Sequence, residues 1–304
     1  MRAALARAWD SDLAYSFRRS PVTVAAALVA LACATGALGA PWLAPHNPFD
    51  LASLNLLDAF TPPAWTAKGS STFLLGTDDQ GRDVLSTIMY GARISLAVGL
   101  ASVLLSMLVG VALGLIAGYF GGTLDAFIMR VADVQLSFPA ILIALLIDGV
   151  ARVMLPHEAQ DVIAIPVLVL AIGASGWVQY ARTVRGSTLV EKNKEYVQAA
   201  RVIGRRPASI MLAHVLPNVT GPVLVIGTIH IATAIITEAT LSFLGVGVPP
   251  TRPSLGTLIR VGNDFLFSGE WWITVFPGIA LVALALSVNL LGDWLRDALN
   301  PKLR

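Results

Sequence analysis

At 304 residues, with 56% hydrophobic and 13% charged residues and a mean hydropathy of +0.72, the chain falls outside soluble composition, where charge is nearer a quarter. The net charge of +2 says little by itself and nothing in the sequence suggests a nucleic-acid partner, while a single cysteine, Cys33, excludes a disulfide framework and a cysteine-based metal cluster. None of the lysines follows glycine (they follow Ala67, Glu191, Asn193 and Pro301), which excludes the phosphate loop of nucleotide-binding enzymes.

A membrane-spanning helix needs about 20 consecutive, mostly apolar residues. In chain order, the uncharged intervals 20–49, 94–124, 162–181, 207–237 and 271–292 reach that length. The interval 134–147 is shorter and becomes a span only if Asp133, with Arg130, dips into the interface. Six helices are predicted, at about 22–44, 94–118, 127–148, 162–181, 219–244 and 273–295, in an all-α integral membrane protein. The first resembles a secretion signal, because Arg18-Arg19 precedes it and Ala37-Leu38-Gly39-Ala40 mimics a cleavage site. Its apolar run exceeds the roughly 7–15 residues of a signal core, and Pro41 follows, so an uncleaved anchor is predicted.

With the N-terminus cytoplasmic, the inner segments hold 15 of the 21 Lys and Arg residues, so both termini are predicted inside. The organisation is a cytoplasmic segment 1–21, a first span 22–44 and an external segment 45–93. A five-helix core 94–295 follows, containing a cytoplasmic loop 182–218, and a tail 296–304 ends the chain. Trp42, Trp271-Trp272 and Trp294 fall at span ends, as an interfacial aromatic belt requires. Gly110, Gly114, Gly118 and Gly122 form a small-residue ridge that admits another helix closely.

The external segment reads Leu75-Gly76-Thr77-Asp78-Asp79-Gln80-Gly81-Arg82-Asp83-Val84-Leu85-Ser86. Its carboxylates invite a calcium-loop reading, but the glycine comes too early and Met89 stands where a bidentate glutamate belongs. Gly76, Thr77, Asp78 and Gly81 are predicted to shape turns, with Arg82 and Asp83 fixing the start of an interfacial helix into span two. In the inner loop, Tyr196, Ala199, Ala200 and Ile203 recur at helical spacing as one apolar face, flanked by Glu195, Gln198, Arg201 and Arg205. Asn193 is expected to cap this helix, Gly204 to end it and Pro207 to open the next one. Its apolar face suits either a groove on a partner or a place against the protein's own inner surface or the lipid headgroups. Asp133 is expected to pair with Arg130 one turn earlier. Glu238, about two turns after His230, either lines a pathway or gate or makes a structural pairing, as intramembrane charges do. The tract Pro249-Pro250-Thr251-Arg252-Pro253 breaks regular structure, and residues 254–267 are expected to form a short helix on the outer face.

These residues resemble the permeases of ATP-binding-cassette (ABC) importers. The run Gln198-Ala199-Ala200, Gly204, His214 and Leu216-Pro217 is similar to their "EAA" loop, with Gln198 replacing its glutamate and His214 its isoleucine. Leu75–Ser86, Tyr90–Leu96, Gly118–Gly122, Glu238–Gly245 and Gly292–Pro301 resemble the dipeptide/oligopeptide/nickel group, nearest its C-type dipeptide subunits. The resemblance implies a type I six-helix fold in the bacterial plasma (inner) membrane and one half of a heterodimeric pathway for dipeptides or short peptides, with nickel chelates, haem or glutathione as the alternative cargoes of the same importer type. It implies as partners a homologous second permease, two ATPase subunits and an external substrate-binding protein. No cofactor is implied on this chain, since ATP and Mg2+ would be bound by the ATPases. Glu195, Tyr196, Gln198, Ala199, Ala200, Ile203, Gly204 and Arg205 would form the ATPase-coupling helix, with Pro217 as a hinge. Two readings from other classes are an ion-driven carrier and an intramembrane serine protease built on Gly173-Ala174-Ser175-Gly176 and His230.

Overall fold

The computed structural model describes residues 12–50, 54–154 and 157–298. The first eleven residues and the tail beyond Ala298, both expected on the inner side, lie outside them. A short helix Asp12–Arg19 precedes α1 (Pro21–Leu38), where the Ser20 hydroxyl accepts from the Thr23 amide and Pro21 opens the first turn. The expected span to residue 44 breaks at Gly39, and a separate four-residue turn Ala40–Leu43 follows. Pro41 has no amide hydrogen with which to continue α1.

α2 (Val84–Phe120) is 37 residues long, about 55 Å. It starts well before the expected residue 94, and no separate interfacial helix precedes it. Asp83 accepts from the Ser86 amide at 2.9 Å and caps the helix, and the charge of Arg93 inside it had hidden its first turns. α3 (Gly122–Leu136) and α4 (Ala140–Met154) replace the expected single helix 127–148 and are bent by 92° to each other. The cause lies in Phe138-Pro139, because a residue before proline is disfavoured in helical conformation. α5 (His157–Glu191) ends ten residues later than the expected 181.

The elbow is one broken span. Along α2, Leu105, Gly110, Gly114 and Gly118 meet Gly173, Trp177, Ala181 and Thr188 of α5 in the same order, so the two helices run parallel. The segment between them must therefore traverse the bundle, which makes six crossings among the described residues. α3 is tied to α5 by Asp125–Arg185 contacts of 2.5 and 2.7 Å, by an Asp133–Arg182 ion pair and by Trp177 Nε1 donating to Gln135 at 2.7 Å. Asp133 thus reaches across to another helix rather than along its own to Arg130. These pairings let α5 carry two arginines past the point where a charge-free run ends.

α6 (Glu195–Val202) follows at the inner end, then Pro207–Ile210 and a π turn Met211–Val215 lead without a break into α7 (Leu216–Phe243). α8 (Leu255–Asn263) is not a surface helix: Leu255 and Leu258 are buried with Ala92, Ile235 and Leu284. Gly256 makes this possible, since a Cβ there would stand 2.3 Å from the Ala239 carbonyl oxygen. α9 (Trp272–Ala298) closes the bundle. Trp42 is exposed at a span end, whereas Trp272 turns inward and donates to the Thr77 carbonyl at 3.0 Å.

The glycine ridge of α2 is the tightest seam. Added Cβ atoms at Gly110, Gly114 and Gly118 would come within 2.4, 2.6 and 2.7 Å of α5, while Gly122 belongs to the elbow and meets nothing within 4 Å. Gly114→Val is expected to destabilise the purified protein by at least about 2 kcal/mol, because the backbone of α5 cannot yield. Gly186→Ala, at an open position of α5, should stay within about 0.5 kcal/mol; thermal unfolding in detergent compares the two.

Candidate functional site

Three regions hold the residues singled out above. At the inner end, α6 starts from an extended Lys194 with no side-chain cap; Asn193 instead donates to the Leu189 carbonyl at 3.0 Å. It stops where Gly204 takes φ +80, with its amide bonded to the Arg201 carbonyl at 2.9 Å and that of Arg205 to Ala200 at 3.1 Å. Pro207 then opens the next turn.

The expected apolar face is divided in two. Val197 and Ala200 turn inward and pack with Tyr180, Val184, Ile210 and Val219. Ala199, Val202 and Ile203 point outward, the last two 89% and 78% exposed. Val197, the larger aliphatic one turn before Ala200, takes the buried stripe and rotates Ala199 and Ile203 out. Glu195, Gln198 and Arg205 are exposed, and Arg201 lies over the Tyr119 ring at 4.9 Å.

Tyr196 joins three elements. Its hydroxyl donates to the Glu191 carboxylate at the end of α5 and accepts from Asn218 Nδ2 of α7 at 3.0 Å, while its ring stacks on His214. Burial, and then the neighbouring Glu191 carboxylate, push the Tyr196 pKa up to about 12, so it remains a donor at neutral pH. Pro217 sits in the first turn of α7, directly after the π turn in which the Leu216 amide bonds to the Met211 carbonyl. Pro217 has no amide hydrogen, so regular α-helical bonding cannot run through this point.

At the outer end, Asp78 accepts from the Gln80 and Arg82 amides at 2.9 Å each and from Arg82 Nε at 2.6 Å. Thr77 Oγ1 donates to the Asp58 carbonyl at 2.5 Å and accepts from the Thr61 amide at 2.9 Å. Gly76 and Gly81 adopt positive φ, and a Cβ on Gly81 would stand 2.5 Å from the Asn55 carbonyl oxygen. Asp78, Arg82 and Asp83 are all buried, which makes the motif a folded cap on α2 and α9. Burial and adjacent Asp78 hold Asp79 above the usual carboxylate range.

In the middle of the bundle, Glu238 is fully buried. Ser95 Oγ of α2 donates to it at 2.7 Å and Ser242 Oγ at 2.8 Å, while Ser95 also accepts from the Leu255 amide at 3.3 Å. Glu238 therefore pins α2, α7 and α8 together, and it lines none of the described cavities. His230 does line one, a cavity of about 250 Å3 with Ser175, Gln179, Thr233 and Thr237. Gly176 leaves room for the imidazole, since a Cβ there would come within 2.3 Å of it. Ser175 donates to its own helix at Ile172 and His230 Nδ1 lies 3.1 Å from Tyr180, so among the described residues no hydrogen bond makes them a nucleophile–base pair.

Ser95, Ser106 and Tyr180 carry this architecture and escaped the reading of charges. A stripe of Ser95, Gly99, Ser102, Ser106 and Gly110 at helical spacing was the available signal. Glu238→Ala is expected to cost about 2–4 kcal/mol through the lost acceptors and the space left behind. Glu238→Gln should cost under half of that, as judged by thermal unfolding of the two purified variants.

Comparison with known proteins places these features. Residues 110–304 match the family model described as the binding-protein-dependent transport system inner membrane component. The chain is 38% identical over 265 residues to the "Dipeptide transport system permease protein DppC" of Haemophilus influenzae, covering 87% of this chain and 85% of that protein. To the Escherichia coli K12 protein of the same name it is 42% identical over 268 residues, covering 88% and 85%. Its fold is similar to a chain of the MetNI methionine ABC transporter in an inward-facing conformation, with a TM-score of 0.53 and 18% identity over 70% of this chain and 96% of that one. A six-crossing bundle with a short helix between α5 and α7 thus has both a sequence family and a type I importer fold, and the chain belongs to the binding-protein-dependent transport system inner membrane components.

Proposed function

We propose that this permease forms half of an ATP-driven import pathway for dipeptides and short peptides, paired with a homologous second permease. The observation that carries the cargo is the 38–42% identity, over nearly nine-tenths of the chain, to proteins named dipeptide permeases. Two ATPase subunits dock at the inner end, bind ATP and Mg2+ there and do the hydrolysis; this chain is non-catalytic and holds no cofactor. An external binding protein delivers cargo to the outer end, and both termini lie in the cytoplasm.

The exposed ridge Ala199–Val202–Ile203 supports docking, because small and aliphatic side chains let a helix sink into an apolar groove. Gln198, replacing a carboxylate, offers amide hydrogen bonds rather than a charge to the ATPase. Force on α6 is carried in two ways: by the Val197–Ala200 stripe into the core, and by Tyr196 to α5 and α7. The π turn before Pro217 is the weak point about which α7 bends, and α5 and α7 present the polar furrow of Ser175, Gln179, His230, Thr233 and Thr237 to the cargo. Two packings of these helices, biased by the ATPases, give alternating access.

Reconstitution with the partner subunits in liposomes tests the whole reading: labelled dialanine should accumulate only with ATP and loaded binding protein. Accumulation without ATP would favour an ion-driven carrier. Ile203→Asp should abolish co-purification of the ATPases while the chain still inserts, which a pull-down from solubilised membranes measures. Tyr196→Phe should leave the ATPases bound but lower the peptide imported per ATP hydrolysed roughly fivefold or more.

A further inference from the structure

A second cavity, of about 550 Å3, opens at the outer end between α2, α5 and the proline tract before α8. Phe49, Tyr90, Arg93, Val98, Ile165 and Arg252 line it, and among the described residues no carboxylate does. Among the described residues, the side chains of Arg93 and Arg252 enter no hydrogen bond or ion pair. Arg93 stands in the third turn of α2, near its outer end, and is exposed like Arg252, so both guanidinium groups are accessible to an incoming anion. In the same lining, Phe49 and Tyr90 stack edge to face at 5.2 Å, with the aliphatic Ile94, Val98 and Ile165.

The same face of α5 serves both cavities. Ile165 lines the outer one and Ile172, Gly176 and Gln179 the central one, at seven-, four- and three-residue steps that keep to one side of a helix. Ile165 and Ile172 stand about 10 Å apart along the axis. The arginine cavity is thus the outermost station on the track that the proposed cargo follows.

We propose that this cavity is a receiving site for the carboxylate end of the incoming peptide, held by Arg93 and Arg252 with the adjacent side chain against Phe49 and Tyr90. Guanidinium groups bind carboxylates through paired, charge-assisted hydrogen bonds, and the volume accommodates a dipeptide. With no acidic side chain among its described lining, the site is expected to select for the carboxylate and not the ammonium end. The site deepens the peptide-import reading and rests on it for the identity of the cargo.

The test uses the complete transporter in detergent, without binding protein, and saturation-transfer NMR of millimolar dialanine. Wild type should bind dialanine, N-acetyl-dialanine should compete, and dialanine amide should not. The double variant Arg93→Gln/Arg252→Gln should bind at least about tenfold more weakly, and Arg93→Lys/Arg252→Lys should recover part of the loss. Absence of binding in the wild type, equal competition by the amide, or undiminished binding in the double variant overturns the proposal. So does a phospholipid retained by wild type in native mass spectrometry and lost in the double variant, since the cavity would then hold a headgroup. If the double variant fails to co-purify with its partner subunits, the competition experiment on wild type decides alone. Dialanine uptake by the reconstituted wild type separately tests the cargo: uptake without the binding signature sinks the site, and the binding signature without uptake sinks the cargo.

Discussion

Close approach of α2 to α5 and α7 is the constraint from which the rest of the bundle follows. Inside a bilayer no hydrophobic force drives one apolar helix onto another, so contact must come from packing and from satisfied polar groups. α2 meets this requirement with one stripe of small residues. Gly110, Gly114 and Gly118 lie against the backbone of α5, and Gly99 against Ile235 of α7. Ser95 and Ser106 on the same stripe spend their hydroxyls on Glu238 and on the Gly173 carbonyl. Because α2 and α5 are parallel and in contact, the chain between them must cross the membrane, and it does so with an elbow at Phe138-Pro139.

The charged groups that shape the fold are then paired, some across elements and some within one segment. Asp125 and Asp133 reach Arg185 and Arg182, Asp78 closes on Arg82, and Glu238 collects two serine hydroxyls. Removal of one member leaves the other without compensation in a medium of low polarity, which is why such groups hold a membrane fold to one arrangement. Arg93 and Arg252 stand outside this pattern, and the cavity between them is correspondingly a place for an external anion.

α6 has two faces with different tasks. One stripe belongs to the bundle core, and the other is an exposed ridge of small and aliphatic side chains. In the proposed coupling, a helix divided in this way would transmit displacement, its outward face gripped by the partner while its inward face is held in the core. Tyr196 adds hydrogen bonds to both neighbouring helices, and in the proposed cycle the π turn before Pro217 would be the bending point of α7.

The sequence by itself determined the all-helical membrane class, the six crossings (though not the elbow that breaks the third), the positions of the inner loop helix and its Gly204 stop, and the turns around Gly76 and Gly81. These features are local: apolar run length, glycine at left-handed positions and proline at first turns act within a few residues. The family motifs were legible for the same reason, as fixed spacings along one segment. The tertiary structure alone decided what depends on residues far apart. Reading charges as span boundaries hid Arg93, Arg182 and Arg185 inside helices, because only a partner on another helix, or a cavity, tolerates them there. It likewise decided that Asp133 faces Arg182 and not Arg130, that Val197 rather than Ala199 joins Ala200 in the core, and that Glu238 is a clasp while His230 lines the furrow. Which side of a helix is buried depends on the helix it meets, and a helix's own periodicity does not contain that information.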